Sequence, residues 1–174
     1  MKYLLSIVAA AILLPALSAL PAQAAEKDVE EIPACQYCGM DRHKFRQTRM
    51  LIEYEGGSRI GTCSIHDAAV DLSQSIGKTI GTIWASDYGS GTLTDAEKAS
   101  WVIGGDIPGV MSKKSRVAFM KKEDAVAFQK EHGGEVVSFD EAIDDTYDEM
   151  WSDIKMIREK RAKMKKMKGM PGMK

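Results

Sequence analysis

The chemistry-bearing residues of this chain are densest in the C-Q-Y-C-G-M motif at residues 35–40. Cys35 and Cys38 are separated by two residues, so both thiols can reach one ion. Gly39 allows a tight turn that brings the Met40 thioether beside them. Thiolate and thioether are soft ligands, and this combination favours Cu(I) over hard cations. The motif therefore predicts a soft-metal site built from Cys35, Cys38 and Met40.

The same two cysteines also fit a redox dithiol or a structural disulfide. Thioredoxin-type C-x-x-C motifs lie between a strand and a helix, whereas this one follows an acidic segment and no helix is predicted to begin at Cys38. A structural disulfide would require an oxidising compartment. The chain has three cysteines, so at least one thiol stays unpaired within a monomer. A thiol–disulfide oxidoreductase using Cys35 and Cys38 therefore stands as an alternative.

A second group, C-S-I-H at residues 63–66, begins 25 residues after Cys38. Together with the first motif it supplies the ligand types of a structural zinc site. Cys35, Cys38, Cys63 and His66 would then form a zinc-stabilised interaction domain. Cys63 is equally expected as a buried strand thiol, and His66 as an ordinary residue at a helix start. Asp67 is predicted to cap that helix rather than to bind metal.

Methionines are concentrated at the end of the chain and also occur in one internal loop. The terminal ones recur every three residues among lysines: Met164, Met167, Met170 and Met173. Thioethers bind Cu(I) without losing a proton, so we expect auxiliary copper capture by a flexible tail over residues 163–174. The alternative is a basic tail that contacts anionic membrane or has no specific role. Met111 lies in a glycine- and proline-bearing loop, where few neighbours are available for packing, and this favours a function.

Composition and charge exclude several functional classes. The 174 residues are 44% hydrophobic and 28% charged, which is ordinary for one folded domain. The 24 basic and 25 acidic residues nearly cancel, so no nucleic-acid partner is expected. The sequence contains no nucleophile elbow, phosphate-binding loop or metalloprotease motif. We therefore expect neither an enzyme nor a binder of a small-molecule substrate.

The first 24 residues have the features of a cleavable signal peptide. Lys2 precedes an apolar run, and Ala22-Gln23-Ala24 fits the small-x-small cleavage rule. The mature protein is then expected in the periplasm. Residues 25–34 are acidic and polar, and they predict a flexible leader.

Hydrophobic periodicity predicts an α+β domain over residues 35–139, built from two ββαβ units at about 46–86 and 100–139. Strands are expected at 48–55, 59–63 and 79–86, and again at 101–104, 115–120 and 135–139. A shift of 57 residues aligns Ser58-Arg59-Ile60 with Ser115-Arg116-Val117, which indicates an internal duplication. Ser138 and Glu141 form a capping box that begins a long helix over 140–162.

The chain resembles the NosL family of exported copper-binding proteins linked to maturation of nitrous oxide reductase. The similarity lies in the Cys-x-x-Cys-Gly-Met motif and in a series of second-half motifs: W-V-I-G-G at 101–105, G-V-M at 109–111, D-A-V-A-F at 124–128 and H-G-G at 132–134. The resemblance implies a duplicated ββαβ fold and Cu(I) binding without catalysis. It also implies Cys38 and Met40 as primary ligands, with Met111 as a further one. The expected function is a metallochaperone that delivers copper to a periplasmic cuproenzyme or its assembly machinery, with nitrous oxide reductase as one candidate client.

Overall fold

The computed structural model describes residues 27–168 of the chain. The predicted signal peptide at 1–24 lies outside these residues, as do Met170 and Met173 of the predicted tail. Within the described part, two antiparallel sheets pack beside a long C-terminal helix. No helix of this part is both long and apolar enough to cross a membrane.

The first unit forms a four-stranded sheet and one helix. Its elements are β1 (Met50–Tyr54), β2 (Arg59–Thr62), α2 (Ile65–Gln74), β3 (Ile80–Ser86) and β4 (Leu93–Asp95). The strand order is β2-β1-β3-β4, and every pairing is antiparallel. Gly56 and Gly57 both have positive φ angles, which the tight turn between β1 and β2 requires.

The second unit repeats this plan with three strands. Its elements are β5 (Ser100–Ile103), β6 (Arg116–Phe119), α3 (Lys122–His132) and β7 (Glu135–Val137), and the strand order is β6-β5-β7. In both units the first strand lies between the second and the third and is antiparallel to each. The predicted α+β fold with two ββαβ units is therefore confirmed.

One hydrophobic core joins the two units. Its largest cluster takes residues from the first sheet, the second sheet and the C-terminal helix, including Met50, Ile83, Trp101, Ala118 and Phe139. The segment that follows β3 also pairs with β6, because the backbone N–H of Tyr88 donates to the carbonyl of Ala118 at 2.8 Å. The N–H of Met120 donates to Asp87 Oδ1 at the same distance. The two units thus share one interior.

The expectation of a flexible leader over 25–34 is wrong for its described residues, because they include a short helix, α1 (Lys27–Glu31). Asp28 is buried and accepts hydrogen bonds from Arg42 Nη2 at 2.7 Å and from Arg49 Nη2 at 2.9 Å. Both guanidinium groups are fully buried. Burial favours the neutral form of Asp28, but the hydrogen bonds and charges of Arg49 and Arg42 outweigh it and hold the pKa of Asp28 below its ordinary value.

The C-terminal helix α4 (Phe139–Lys168) extends beyond the predicted end at residue 162. Its predicted capping box is present, since the N–H of Ser138 donates to Glu141 Oε2 at 2.8 Å and the N–H of Glu141 donates to Ser138 Oγ at 3.3 Å. Alanine, lysine and methionine at 162–168 are good helix formers, so nothing in this stretch ends the helix. Met164 and Met167 therefore lie on a helix rather than on a flexible tail.

Candidate metal centre

Residues 35–40 form a closed turn that presents Cys35 and Cys38. The N–H of Cys35 donates to the carbonyl of Met40 at 2.8 Å, and the N–H of Gly39 donates back to the carbonyl of Cys35 at 3.0 Å. Gly39 has a φ angle of +73°, a conformation that other residues adopt only with strain. The predicted tight turn at Gly39 is thus present, and no helix begins at Cys38.

The turn is fixed to the strand that leads to Cys63. The N–H of Gln36 donates to the carbonyl of Gly61 in β2 at 3.0 Å. Cys63 directly follows β2, and Asp67 lies in the first turn of α2. A turn, a strand end and a helix start therefore converge at one point.

Three cysteines and one aspartate meet there. Asp67 Oδ2 lies 3.2 Å from Cys35 Sγ and 3.0 Å from Cys63 Sγ, and the Sγ atoms of Cys38 and Cys63 are 3.4 Å apart. All four donor atoms lie within 4.8 Å of one another, which is close enough to hold one ion. Cys35, Cys63 and Asp67 are buried, whereas Cys38 is half-buried. The cluster therefore opens toward the surface at Cys38.

The three thiols differ in acidity because they donate hydrogen bonds to one another. Hydrogen bonds from Cys38 and Cys63 lower the pKa of Cys35 well below its ordinary value. The hydrogen bond to Cys35 raises the pKa of Cys38 to about 12. The pKa of Cys63 is also raised, by its hydrogen bonds with Cys35 and Cys38 and by burial. Cys35 is therefore the most acidic of the three thiols.

Asp67 was not among the predicted ligands, and its predicted role as a helix cap is wrong. Ser64 stands at the N-cap of α2 but makes no side-chain capping hydrogen bond. The Asp67 carboxylate accepts thiol hydrogen bonds instead. The sequence offered one signal for this contact. Asp67 follows Cys63 by four residues, and that spacing brings the two side chains together where α2 begins.

His66 stands beside the cluster rather than in it. Its Nδ1 atom lies 3.4 Å from Asp67 Oδ1. Its buried Nε2 atom has no hydrogen-bond partner among the described residues. In the four-donor group, Asp67 takes the place that the sequence-based zinc hypothesis gave to His66.

Cys38 also forms part of the wall of a cleft of about 530 Å³. Four methionines line this cleft: Met40, Met111, Met156 and Met164. The structure thus brings together Cys38, Met40 and Met111, which the sequence had nominated from separate motifs. Sequence reasoning missed Met156, because it lies in the amphipathic pattern of α4 and has no motif around it. Met167 is 53% exposed and does not line the cleft.

Met111 has a φ angle of +60°, and no other non-glycine residue within 27–168 has a positive φ. Such a conformation costs about 1–3 kcal/mol and persists where surrounding contacts impose it. Those contacts come from α4: Asp153 Oδ1 accepts the N–H of Lys113 at 2.8 Å, and Asp145 Oδ2 accepts Nε–H of Arg116, also at 2.8 Å. The C-terminal helix therefore holds the loop that places Met111 at the cleft.

Fold and site together define an α+β protein of two ββαβ units with a thiol-rich candidate metal centre. The sequence profile of the NosL family matches residues 26–147, and the chain belongs to this family. The fold is similar to that of a crystal structure described as the copper chaperone NosL from Shewanella denitrificans, with a TM-score of 0.51 and 21% identity. That match covers 62% of this chain and 87% of the other. No sequence among curated proteins matches the chain.

Proposed function

We propose that this protein is an exported chaperone that binds Cu(I) at Cys38, Met40 and Met111. The observation that carries the proposal is the position of Cys38, which belongs both to the buried cysteine cluster and to the methionine-lined cleft. A thiolate beside thioethers is a soft, low-charge donor set that suits Cu(I). Membership of the NosL family and the description of its structural relative as a copper chaperone support the same cargo.

Cys35 and Cys63 are proposed as further thiol donors beneath the primary site. Both are buried and lie next to Cys38, so they can hold the ion or exchange with Cys38 during binding. Asp67 positions these two thiols through its hydrogen bonds. A carboxylate oxygen is a hard donor, so Asp67 contributes less to Cu(I) than the sulfur atoms do.

We propose that the protein delivers the ion rather than using it in catalysis, because the ligands stay within a partner's reach. Cys38 and Met40 are half-buried, so a partner's ligands can reach an ion bound there without unfolding the domain. We propose that the partner is a periplasmic copper-requiring enzyme or its assembly machinery. Nitrous oxide reductase is the first client to test, because the resemblance to NosL implies it. The predicted signal peptide supports export to the compartment where such a client would be.

Zinc is a second candidate metal, favoured by one observation. Cys35, Cys38, Cys63 and Asp67 supply four donor atoms within 4.8 Å, a number and set of types that tetrahedral Zn(II) accepts. In this alternative the bound ion stabilises the domain, and the methionines of the cleft have no role in binding it. The two candidates therefore differ in their dependence on Met40.

Anaerobic titration of the reduced mature protein with Cu(I) and with Zn(II) tests the proposal. We expect Cys38→Ser and Met40→Leu each to weaken Cu(I) binding by more than the ~10–100-fold typical of outer-shell partners. Met120→Leu is the matched control, since Met120 is 48% exposed and does not line the cleft. Circular dichroism of each variant should match that of the wild type.

Two results would contradict the copper proposal. One is wild-type Cu(I) affinity in both Cys38→Ser and Met40→Leu. The other is tight Zn(II) binding that raises the unfolding midpoint of the wild type and is unaffected by Met40→Leu, because structural zinc adds its binding free energy to folding.

A further inference from the structure

We propose that Met156 and Met164 of α4 form, with Met40 and Met111, a thioether entry site for Cu(I) that feeds the ion to Cys38. The proposal rests on Cu(I) being the cargo and assigns a role to the C-terminal helix. Both α4 residues lie beyond residue 147, where the match to the NosL family ends. The observation behind the proposal is that all four methionines line the same cleft as Cys38.

The placement of α4 over the cleft is fixed by a buried anchor. Asp153 is 1% exposed, and its carboxylate binds the N–H of Lys113, two residues after Met111. From Asp153 the helix continues with Ile157, Lys160 and Met164 at steps of three or four residues, which lie on one face. Ile157, Lys160 and Met164 all line the cleft, as does Met156. The same helix thus fixes the Met111 loop and supplies two further thioethers.

Exposure decreases from the outer methionine to the inner cysteines. Met164 is 54% exposed, Met156 and Cys38 are half-buried, and Cys35 and Cys63 are 3% and 0% exposed. An ion arriving from solvent therefore meets Met164 before it can reach the buried thiols. Thioethers accept Cu(I) without losing a proton, so capture there involves no change other than ligand exchange. When the ion moves on, Cys38 binds it as thiolate and its proton passes to solvent, with copper remaining Cu(I).

The charges around the cleft make the entry site weaker than the cysteine site. Lys160 and Arg161 line the same cleft and repel a cation. Thioethers are neutral and cannot offset that repulsion, whereas the Cys38 thiolate can. The ion is thus held briefly by the methionines and then retained by the cysteines. Because salt screens the repulsion, capture by the methionines should strengthen as ionic strength rises.

The test follows transfer of Cu(I) from a weak chromogenic Cu(I) chelator to the full mature protein by stopped flow. In Met156→Leu/Met164→Leu we expect loading to slow by about tenfold or more, since a tethered capture site acts through its effective concentration. Equilibrium affinity measured against a strong chelator should stay at the wild-type value. Met167→Leu is the matched control, on the same helix but outside the cleft.

A direct readout comes from NMR of protein labelled with ¹³C at the methionine methyl groups. In a Cys38→Ser background, Cu(I) should shift the Met156 and Met164 signals and leave that of Met167 in place, and the shift should saturate at lower Cu(I) as salt is raised. Wild-type loading rates in the double variant would overturn the entry site. Equal effects of Met167→Leu and Met164→Leu would do the same and favour a terminal methionine array. Absence of tight Cu(I) binding in the wild type would instead overturn the proposed function.

Discussion

At the candidate metal centre, Cys38 is half-buried while Cys35 and Cys63 are enclosed, so external reagents and partner proteins meet Cys38 first. Its pKa is raised to about 12 by the hydrogen bond with Cys35. In the metal-free protein Cys38 is therefore accessible but unreactive at neutral pH, because the thiolate is the nucleophile. A protonated thiol is a poor attacking group, so Cys38 is not expected to start disulfide exchange in the metal-free protein.

Cys35→Ser should lower the pKa of Cys38 toward that of an ordinary thiol, since Cys35 is the largest cause of its rise. We expect alkylation of Cys38 by iodoacetamide at pH 9 to accelerate by about tenfold or more, one pKa unit being tenfold in thiolate. Cys63→Ala is the matched control and should not accelerate it, because the hydrogen bond with Cys63 lowers the pKa of Cys38. Peptide mass spectrometry across pH measures both rates, and equal acceleration in the two variants would contradict the assignment.

The sequence located three of the four donors of the cysteine cluster but not the contact that joins them. Cys35 and Cys38 are close in sequence, so their proximity could be predicted from spacing alone. The contact between Cys35 and Asp67 spans 32 positions and depends on the turn docking against β2. Local rules therefore assigned Asp67 to a helix cap, and only the tertiary arrangement shows that its carboxylate faces thiols.

At the scale of elements, the periodic strands and helices were predictable, but three features were not. β4 has three residues, of which only Leu93 is apolar, so it gives no alternation to detect. α1 is polar in sequence and is ordered because Asp28 meets two arginines from later in the chain. The end of α4 was placed too early because interleaved lysine and methionine resemble a solvated tail.

The Asp28 ion-pair cluster gives a stability prediction for α1. Asp28→Asn leaves Arg42 and Arg49 buried without their carboxylate, so unfolding free energy should fall by about 3–5 kcal/mol. Glu31→Gln on the same helix is the control, because Glu31 pairs with Arg59 at the partly exposed surface. Glu31→Gln should lower the unfolding free energy by about 0–1 kcal/mol. Urea unfolding monitored by circular dichroism measures both values. Similar losses of unfolding free energy in the two variants would contradict a stabilising role for the Asp28 ion-pair cluster.

The same carboxylate predicts a pH dependence. The pKa of folded Asp28 lies below its ordinary value of 3.8, so its contribution to stability is full above that pH. It is lost as pH falls through the folded pKa, because the unfolded chain binds the proton first. Wild-type unfolding free energy should therefore decline more steeply below about pH 4 than that of Asp28→Asn. If unfolding free energy declined with pH in the same way in both proteins, Asp28 would not be the cause of the loss of stability in acid.

At the scale of the whole molecule, the sequence indicated the duplication but not the contact that joins the two units. The 57-residue shift relates β2 to β6, and the two sheets indeed share one strand plan. The joint is made by Asp87, whose carboxylate accepts N–H groups from Ser90 in its own unit and Met120 in the other. Nothing in the local pattern distinguishes Asp87 from any turn aspartate.

Because the halves share a core and this joint, they should unfold together. Native-state hydrogen exchange should give the backbone amides of β1 and β5 the same opening free energy, equal to that of global unfolding. Asp87→Ala should lower both by about 1.5–3 kcal/mol, the typical contribution of hydrogen bonds to a charged group. Asp106→Ala is the control, since Asp106 is exposed and pairs only with His132 among the described residues.

Under the proposed copper-chaperone function, the outcome bears on how the ion is released to a client. If β5 exchanged about tenfold faster than β1, or if Asp87→Ala lowered protection in one sheet alone, the second unit would open by itself and Met111 would leave the cleft with it. If the two units open only together, opening of one sheet by itself does not remove Met111 from the cleft that it lines with Cys38. The client would then have to extract Cu(I) by ligand exchange at the half-buried Cys38. Separation of the two units would not be part of the release.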